Sequence, residues 1–470
     1  MTVLTNQQNE VLDIINPVFE SQKAYFATGA TRSYSFRAKQ LKALKATIKK
    51  YEEEIYEALR KDLRKPLFEA YTSEVGFVYQ EIKHTLSHLK GWMKPEKVST
   101  SIVHLPSKST IIREPLGNIL IVSPWNYPFH LVFAPIVAAI SAGNTAIIKP
   151  SEFTPHTSAM VEKVIKDTFD SKYMHVVQGE GHTVIPPMMD NFRFDHVFFT
   201  GSVRVGKIIA EQAAKKLTPV TLELGGKSPA IVDKNVSVDV TAKRLIYGKL
   251  FNTGQTCVAP DYLLVHEKVK DKLVESIIKQ IKTFYGDDPQ KSESYGRIVD
   301  KRRFDVLVKY LEEGNILCGG EHDRDDHYIA PTLIDDVSME DSLMQTEIFG
   351  PILPIITFSD IDEVIDIVKQ NPYPLALYLF TVDSGVEEKI INNIRFGGGC
   401  VNNAIVHLTN PNLPFGGVGY SGMGRYHGKN SFDALSHQKS IMKTKFFYDN
   451  ELKYPPYTNT KISIAKKFFE

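Results

Sequence analysis

Gly117-Asn-Ile-Leu-Ile-Val-Ser-Pro-Trp-Asn-Tyr-Pro128 opens the stretch GNILIVSPWNYPFHLVFAPIVAAISAGNTAIIKPSE (117–152), where the texture of the chain changes. A β-branched run, 118–122, gives way to a helical pattern near 130–142, then to a second short run, 145–148, and to a helical pattern near 156–169. Runs at 173–177, 196–200 and 220–224 follow, with a helical pattern near 203–216. Short apolar strands alternating with helices predict a mostly parallel sheet under helical cover. A second series, with strand-like runs at 229–232, 262–266, 352–357, 376–380 and 400–402, predicts another such unit. The fold class expected is therefore α/β, with two domains of similar size joined near Leu224–Lys227 and no internal repeat.

The flanking segments read differently. Phe36, Leu41, Leu44, Ile48, Ile55, Leu59 and Leu63 recur at helical spacing among Lys and Glu, which predicts an amphipathic surface helix within a helical region 35–92. That pattern speaks of packing and not of chemistry. Lys97–Arg113 reads as a hairpin-like insertion, and the chain after Lys439 is strand-like before becoming Pro-rich. Both suit an arm that docks on a second subunit, and both equally suit surface loops.

Composition narrows the function classes. At 470 residues the chain is too long for one ordinary core. Its 56 Lys and Arg balance 55 Asp and Glu, so net charge gives no reason to expect nucleic acid as partner. The N-terminal MTVLTNQQNEVLDIINP lacks a basic stretch followed by an apolar core. The apolar region 119–148 is interrupted by Pro124, Pro128 and Pro135 and by Asn126, His130 and Asn144, unlike a membrane span. Three widely separated cysteines, Cys257, Cys318 and Cys400, form no metal-type pair and suit a reduced, cytoplasmic protein. The expectation is a soluble chain without a metal.

Several polar motifs end successive predicted strands, on what would be one edge of a sheet, where open α/β folds form ligand crevices. Asn126, between two prolines, suits a fixed amide donor to a developing oxyanion, or a simple turn. Lys149 and Glu152 end the next strand and suit ribose or phosphate, or plain solvation. Gly201-Ser-Val-Arg-Val-Gly206 opens a helix after HVFFT, a setting that suits phosphate, although glycines at such turns are often steric. Glu223, flanked by Leu222 and Leu224, is a carboxylate whose burial is costly unless it faces a cleft. Cys257 lies in the polar, Gly-containing loop FNTGQTCVAPDY, and such an exposed, hydrogen-bond-rich turn suits a reachable thiolate more than an apolar run would. Cys318 and Cys400 lack such company and read as structural.

Taken together, PWNYP, IIKPSE, FTGSVRVG, LELGGKSP, GQTC, EIFGP (347–351) and PFGG (414–417) resemble the aldehyde dehydrogenase superfamily, in its order and spanning residues 124–417. CVAPDY and LPFGGVGYSGMGRYHGKNSF resemble its class 3 branch, which handles medium- and long-chain and aromatic aldehydes. The resemblance implies two Rossmann-like α/β domains with a small oligomerisation arm. On this reading 1–96 and 114–224 bind the nicotinamide dinucleotide, 225–425 carry catalysis, and 97–113 with 426–470 form the arm and tail of a homodimer.

The resemblance also implies roles. Cys257 attacks the aldehyde, the Asn126 amide and the Cys257 N–H hold the oxyanion, and Glu223 activates the water that hydrolyses the thioester. Trp125, Lys149, Glu152, Gly201, Ser202, Gly206, Glu347 and Phe349 hold NAD or NADP: Lys149 and Glu152 at the adenosine ribose, Ser202 near the pyrophosphate, Glu347 and Phe349 at the nicotinamide ribose and ring. Val203 departs from the Thr common in the family. The expected reaction is oxidation of a fatty, aromatic or isoprenoid aldehyde to its acid. The rivals are a semialdehyde or acyl-transferring relative, which would need an anion-binding group or coenzyme A, and a catalytically retired cofactor-binding protein. The basic, partly apolar C-terminus predicts no membrane span but allows peripheral membrane contact; packing near the substrate entrance or on a partner is the plainer expectation.

Overall fold

The alternation around Asn118–Val122 builds two sheets in the computed structural model, which describes residues 6–469; the first five residues of the N-terminal stretch lie outside the described residues. The first sheet has six strands, ordered Gly422–Met423, Val220–Leu224, His196–Gly201, Asn118–Val122, Thr145–Lys149, Met174–Val176. All neighbours are parallel except Gly422–Met423, which runs antiparallel to Val220–Leu224. Strand order reverses between Asn118–Val122 and His196–Gly201, and the chain leaves their carboxyl ends at Ser123 and Ser202. That reversal opens a crevice at the sheet edge, as in dinucleotide-binding folds.

The second sheet has seven strands, ordered Asn315–Cys318, Thr332–Asp335, Ile352–Phe358, Tyr262–His266, Pro229–Val232, Ala376–Phe380, Gly398–Val401. Only Asn315–Cys318, at one edge, is antiparallel to its neighbour. Asn315–Cys318 and Thr332–Asp335 carry no expected counterpart: both have four residues, and the first is partly exposed, so neither makes a long apolar run.

Between Asn118–Val122 and Thr145–Lys149 of the first sheet runs the helix His130–Ala142, all 13 of whose residues are buried. A helix apolar all round belongs inside a protein, and the three prolines that rule out a plain membrane span here shape a turn before it and sit within it. Among the described residues no helix is long and apolar enough to cross a membrane.

The helical expectation for 35–92 holds, but not as one surface helix. Tyr34–Lys50 and Glu52–Leu63 are separate helices whose apolar positions Leu41, Leu44, Ile48, Ile55, Leu59 and Leu63 are all buried. Tyr51 joins them with hydrogen bonds into both, so the apolar periodicity runs through the break. The next helical segment contains a π turn, Ala70–Val75, before Gly76–Trp92.

The hairpin expectation is met by Glu96–Val98 and Lys108–Pro115, which pair with Ser436–Lys443 in a separate three-stranded sheet. The expected division at 425/426 runs through a return to the first sheet: Gly422–Met423 pairs with Val220–Leu224, and Lys429–Ala434 packs on His130–Ala142. An otherwise open strand edge explains that return. The C-terminal helix Asn459–Phe469 buries none of its residues on the single chain.

Candidate active site

The carboxyl edge of the first sheet faces the loops that precede strands of the second, and two cavities meet there. One is an open cleft of 680 Å³ lined by Trp125, Asn126, Gly201, Ser202, Glu223, Cys257, Glu347 and Phe349, among others. The other is an apolar chamber of 160 Å³ walled by Phe77, Tyr127, Leu375, Ile405, Phe415 and Tyr426. Cys257 and Glu223 line both. They stand on the partition.

The loop bearing Cys257 is held by its own motif. Asn252, Thr253 and Gly254 take consecutive left-handed conformations, φ 54°, 56° and 75°. A side chain at Gly254 would strike the Gly350 carbonyl, so glycine is required where this loop crosses EIFGP. Gln255 is buried; its amide donates to the Asn252 and Arg297 carbonyls and its oxygen accepts from Val299 N–H. Cys257 is half-buried and not, as expected from the sequence, in an exposed turn. Burial raises its thiol pKa, the nearby Glu347 and Glu223 carboxylates raise it further, and the Cys257 and Val258 N–H groups oppose the rise.

Asn126 is buried, and its side-chain amide donates 3.1 Å to the Gln255 carbonyl. A primary amide has two N–H donors; one orients the group, which leaves the other for the cleft. Tyr127 bonds Thr256 at 2.6 Å, so the two turns are laced together.

Glu223 stands at the end of Val220–Leu224 and is 3% exposed, with no hydrogen-bond partner for either oxygen among the described residues. Burial alone pushes its pKa well above the ordinary carboxylate value. An unpaired buried carboxyl at a cavity wall has the chemistry of a proton acceptor kept ready for use.

The residues expected on the cofactor side divide into two groups. Trp125, Gly201, Ser202, Glu347 and Phe349 line the cleft, and Trp125 meets Phe349 edge-on at 5.2 Å between ring centres. Burial, reinforced by Asp261, pushes Glu347 up to about 8, with the Gly226 N–H, Arg303 and Lys227 opposing. The lining stops short of Lys149, Glu152 and Gly206. Lys149 and Glu152 pair with each other, and Glu152 also accepts from Gly181 N–H at 2.9 Å. Gly206 faces the Leu224 side chain, where an added Cβ would sit 2.6 Å from it; its need is steric. Ser202 caps the helix Val203–Ala214 by accepting from Val205 N–H at 3.4 Å. Cys318 and Cys400 are free thiols away from both cavities, as expected of structural cysteines.

Residues to which the sequence assigned no role also build the site. Lys227 bonds Asp261 and the Leu343 and Thr346 carbonyls, while Asp261 accepts from Ile348 N–H at 3.0 Å, so this buried pair anchors the loop that carries Glu347. Both lie inside stretches already singled out, LELGGKSP and CVAPDY, where an unexplained charge was the available signal. Lys65 and Glu74 had no such signal.

The sequence profile of the Aldehyde dehydrogenase family matches residues 3–441. The chain is 48% identical over 464 residues to the 4,4'-diaponeurosporen-aldehyde dehydrogenase of Staphylococcus aureus, covering 98% of this chain and all of that one. It is 41% identical to the dimeric NADP-preferring aldehyde dehydrogenase of Mus musculus, covering 94% of this chain and 98% of the relative. A substrate-bound structure of Staphylococcus aureus AldH superposes with a TM-score of 0.95 at 47% identity, covering 97% of this chain and 99% of the other. With that match running its full length and a cysteine and carboxylate where two cavities meet, the chain belongs to the aldehyde dehydrogenase family, in its class 3-like branch, as an enzyme that uses NAD or NADP.

Proposed function

We propose that this enzyme oxidises a hydrophobic aldehyde to the free acid with Cys257 as nucleophile, Asn126 as oxyanion donor and Glu223 as the base of hydrolysis. The observation that carries the proposal is the placement of Cys257 and Glu223 on the wall shared by the cleft and the chamber. An aldehyde held in the chamber meets the sulfur from one side, while the opposite side opens to a cofactor.

The cleft fits a nicotinamide dinucleotide. Gly225 has no side chain, and the Glu347 carboxylate occupies the space one would take, so a polar group is brought to the backbone of the cleft floor. Val203 and Arg204, at the start of the 12-residue helix Val203–Ala214, line the same cleft, and helix N-terminal N–H groups suit a pyrophosphate. Glu347 would hold the nicotinamide ribose, Phe349 and Trp125 the ring, and Lys149 and Glu152, separated from each other, the adenosine ribose. When bound, the cofactor supplies a hydride acceptor.

The chain's own groups perform the rest. The Cys257 sulfur adds to the carbonyl carbon, and its thiol proton must leave for the sulfur to react. Charge developing on the carbonyl oxygen is met by the second Asn126 N–H and the Cys257 N–H, donors already fixed by the loop. Once Cys257 carries a thioester, Glu223 takes a proton from water, the oxygen adds to the acyl carbon, and the C–S bond breaks to give the acid.

The chamber supports the substrate class. Its walls are mainly apolar; among the described residues no lysine or arginine lines it to receive the carboxylate of a semialdehyde, and burial keeps its histidines, His130 and His427, from taking up a proton. Tyr247 and Val406, at 43% and 40% exposure, mark where a long chain leaves for solvent. Long-chain and isoprenoid aldehydes suit such a channel, in keeping with the polyene aldehyde named for the Staphylococcus aureus relative. A homodimer built on the arm Glu96–Val98, Lys108–Pro115 and Ser436–Lys443, in the cytoplasm, completes the proposal; seven of the eight residues of Ser436–Lys443 are exposed on the single chain. An aldehyde panel assayed with NAD and NADP, with and without coenzyme A, tests it. Acid formation from hydrophobic aldehydes independent of coenzyme A is expected. A strict need for coenzyme A, or preference for anionic semialdehydes, overturns it.

A further inference from the structure

Asn126 and Cys257 sit on different turns, laced directly by the Asn126–Gln255 and Tyr127–Thr256 bonds, and a second frame holds both turns from outside. Two buried or half-buried carboxylates and one lysine from the N-terminal helical region converge there. Lys65 follows the left-handed Arg64 (φ 47°) that ends the helix Glu52–Leu63, and it is 3% exposed. Its ammonium donates 2.5 Å to Glu74 and 3.1 Å to the Asn126 backbone carbonyl, and stands 4.3 Å from the centre of the Tyr127 ring. The second oxygen of Glu74 accepts from Phe129 N–H at 3.1 Å and His130 N–H at 2.8 Å. The oxyanion turn is therefore held at Asn126 and again at its far end.

Glu69 holds the other turn. Its carboxylate accepts from Asn252 N–H at 3.0 Å, at the head of the nucleophile loop. Asn252 in turn donates from its side chain to the Asn126 carbonyl at 2.9 Å and to the Gln255 carbonyl at 3.0 Å. Lys65 and Asn252 thus share one acceptor, the Asn126 carbonyl. The two turns are tied to a common frame.

Residues five apart on an α-helix point about 140° from each other, so Glu69 and Glu74 would diverge on a regular helix. The π turn Ala70–Val75 changes this, because its wider i to i+5 register cuts the angle between residues five apart to roughly 50°. Gly76 N–H bonds Tyr71 O in that register. Thr72 and Ser73 hydroxyls donate to the Phe68 and Glu69 carbonyls at 2.7 Å, satisfying groups that the wider turn loosens.

We propose that Lys65, Glu69 and Glu74 are positioning residues that set the Asn126 donor against Cys257, and that the π turn is the device that brings both carboxylates to the same side. This rests on the reading of Asn126 and Cys257 given above. It assigns a catalytic consequence to three charged residues that line neither cavity.

The test uses the full-length enzyme with a medium-chain aldehyde and NAD, following the first-turnover burst of NADH by stopped flow. Glu69→Ala leaves the buried ion pair intact. Lys65→Met with Glu74→Gln removes both charges at similar volume and keeps an oxygen for the Phe129 and His130 N–H groups. Misplacing a reacting group by about 1 Å costs on the order of 100-fold, so both variants should slow the burst by about 10- to 100-fold. Cofactor Kd and aldehyde KM should stay within about twofold, because neither cavity loses a lining residue. Glu69→Gln, whose amide oxygen still accepts from Asn252 N–H, should recover most of the rate. A burst within about twofold of wild type in folded Glu69→Ala or in the folded double variant overturns the proposal, as does a parallel loss of cofactor affinity. Cys257→Ser run alongside separates the two levels: if it is dead while Glu69→Ala is unimpaired, only the positioning role fails; if it turns over normally, the nucleophile itself is wrong.

Discussion

The cleft and the chamber share a wall and little else. The cleft is assembled from loops at strand ends, with glycines, a serine cap and the carboxyl of Glu347 along its floor. The chamber draws on the helix Gly76–Trp92, the start of His130–Ala142 and the loops 405–409 and 415–427, and its surface is apolar. Loops at strand ends can present backbone N–H groups, which suit phosphate and ribose; packed helices present side chains, which suit hydrocarbon. Chemistry sits where the two kinds of surface meet, because a hydride acceptor and an apolar aldehyde need different solvents and a common carbon.

The sharpest way to break this comparison is at the wall. Cys257→Ser should lower aldehyde oxidation on the order of a thousandfold or more while cofactor titration by fluorescence stays unchanged. Loss of both would mean that the cleft is not an independent binding unit. Glu223→Gln should keep the first-turnover NADH burst and slow steady turnover about 100-fold or more. Its pH profile gives a second handle. Glu223 must be ionised to take a proton, and burial raises its pKa, so wild-type turnover should fall as pH drops through a value above the ordinary carboxylate range. That limb should vanish in Glu223→Gln, measured as steady-state rate against pH.

Smaller effects separate the two surfaces. Phe77→Leu should lower kcat/KM for the best hydrophobic aldehyde by about 10-fold and reorder a chain-length series, with cofactor Kd unmoved. Glu347→Gln should do the reverse, weakening cofactor by about 10-fold and leaving the chain-length ranking in place. Crossed effects, read from paired titrations and chain-length assays, would show that the wall transmits changes between the cavities. The least effect is expected from Val203→Thr at the cleft's helix turn. Adding a hydroxyl beside the Ser202 cap should shift cofactor Kd by no more than about threefold in equilibrium titration.

Legibility differed between these surfaces for a physical reason. Phosphate, ribose and thiolate chemistry require particular residue types at short spacings, so PWNYP, FTGSVRVG, LELGGKSP and GQTC stood out as odd residues among apolar runs. The chamber needs only apolar bulk from scattered places, and Phe77, Ile405 and Tyr426 look like any core residue. Polar neighbours place Cys257 in an exposed turn, yet its partial burial comes from packing against a core cluster of residues far away in the chain. The helix containing Phe36 to Leu63 was read as packing because apolar periodicity carries no mark of a break, and the charged residues just beyond it look solvated. Lys65 and Glu74 face inward only because the chain turns left-handed at Arg64 and widens at Ala70–Val75.

Sequence by itself determined the α/β alternation, the motifs that carry Cys257 and Glu223, and the strand ends at which polar groups gather, since each depends on neighbours a few residues apart. Tertiary structure alone decided that Gly422–Met423 returns to the first sheet, that Lys149 and Glu152 pair off the cleft, that two cavities meet at Cys257 and Glu223, and that Lys65, Glu69 and Glu74 bond the turns around Asn126 and Asn252. Those features join residues tens to hundreds of positions apart, where local propensity is silent and only packing says which groups share a space.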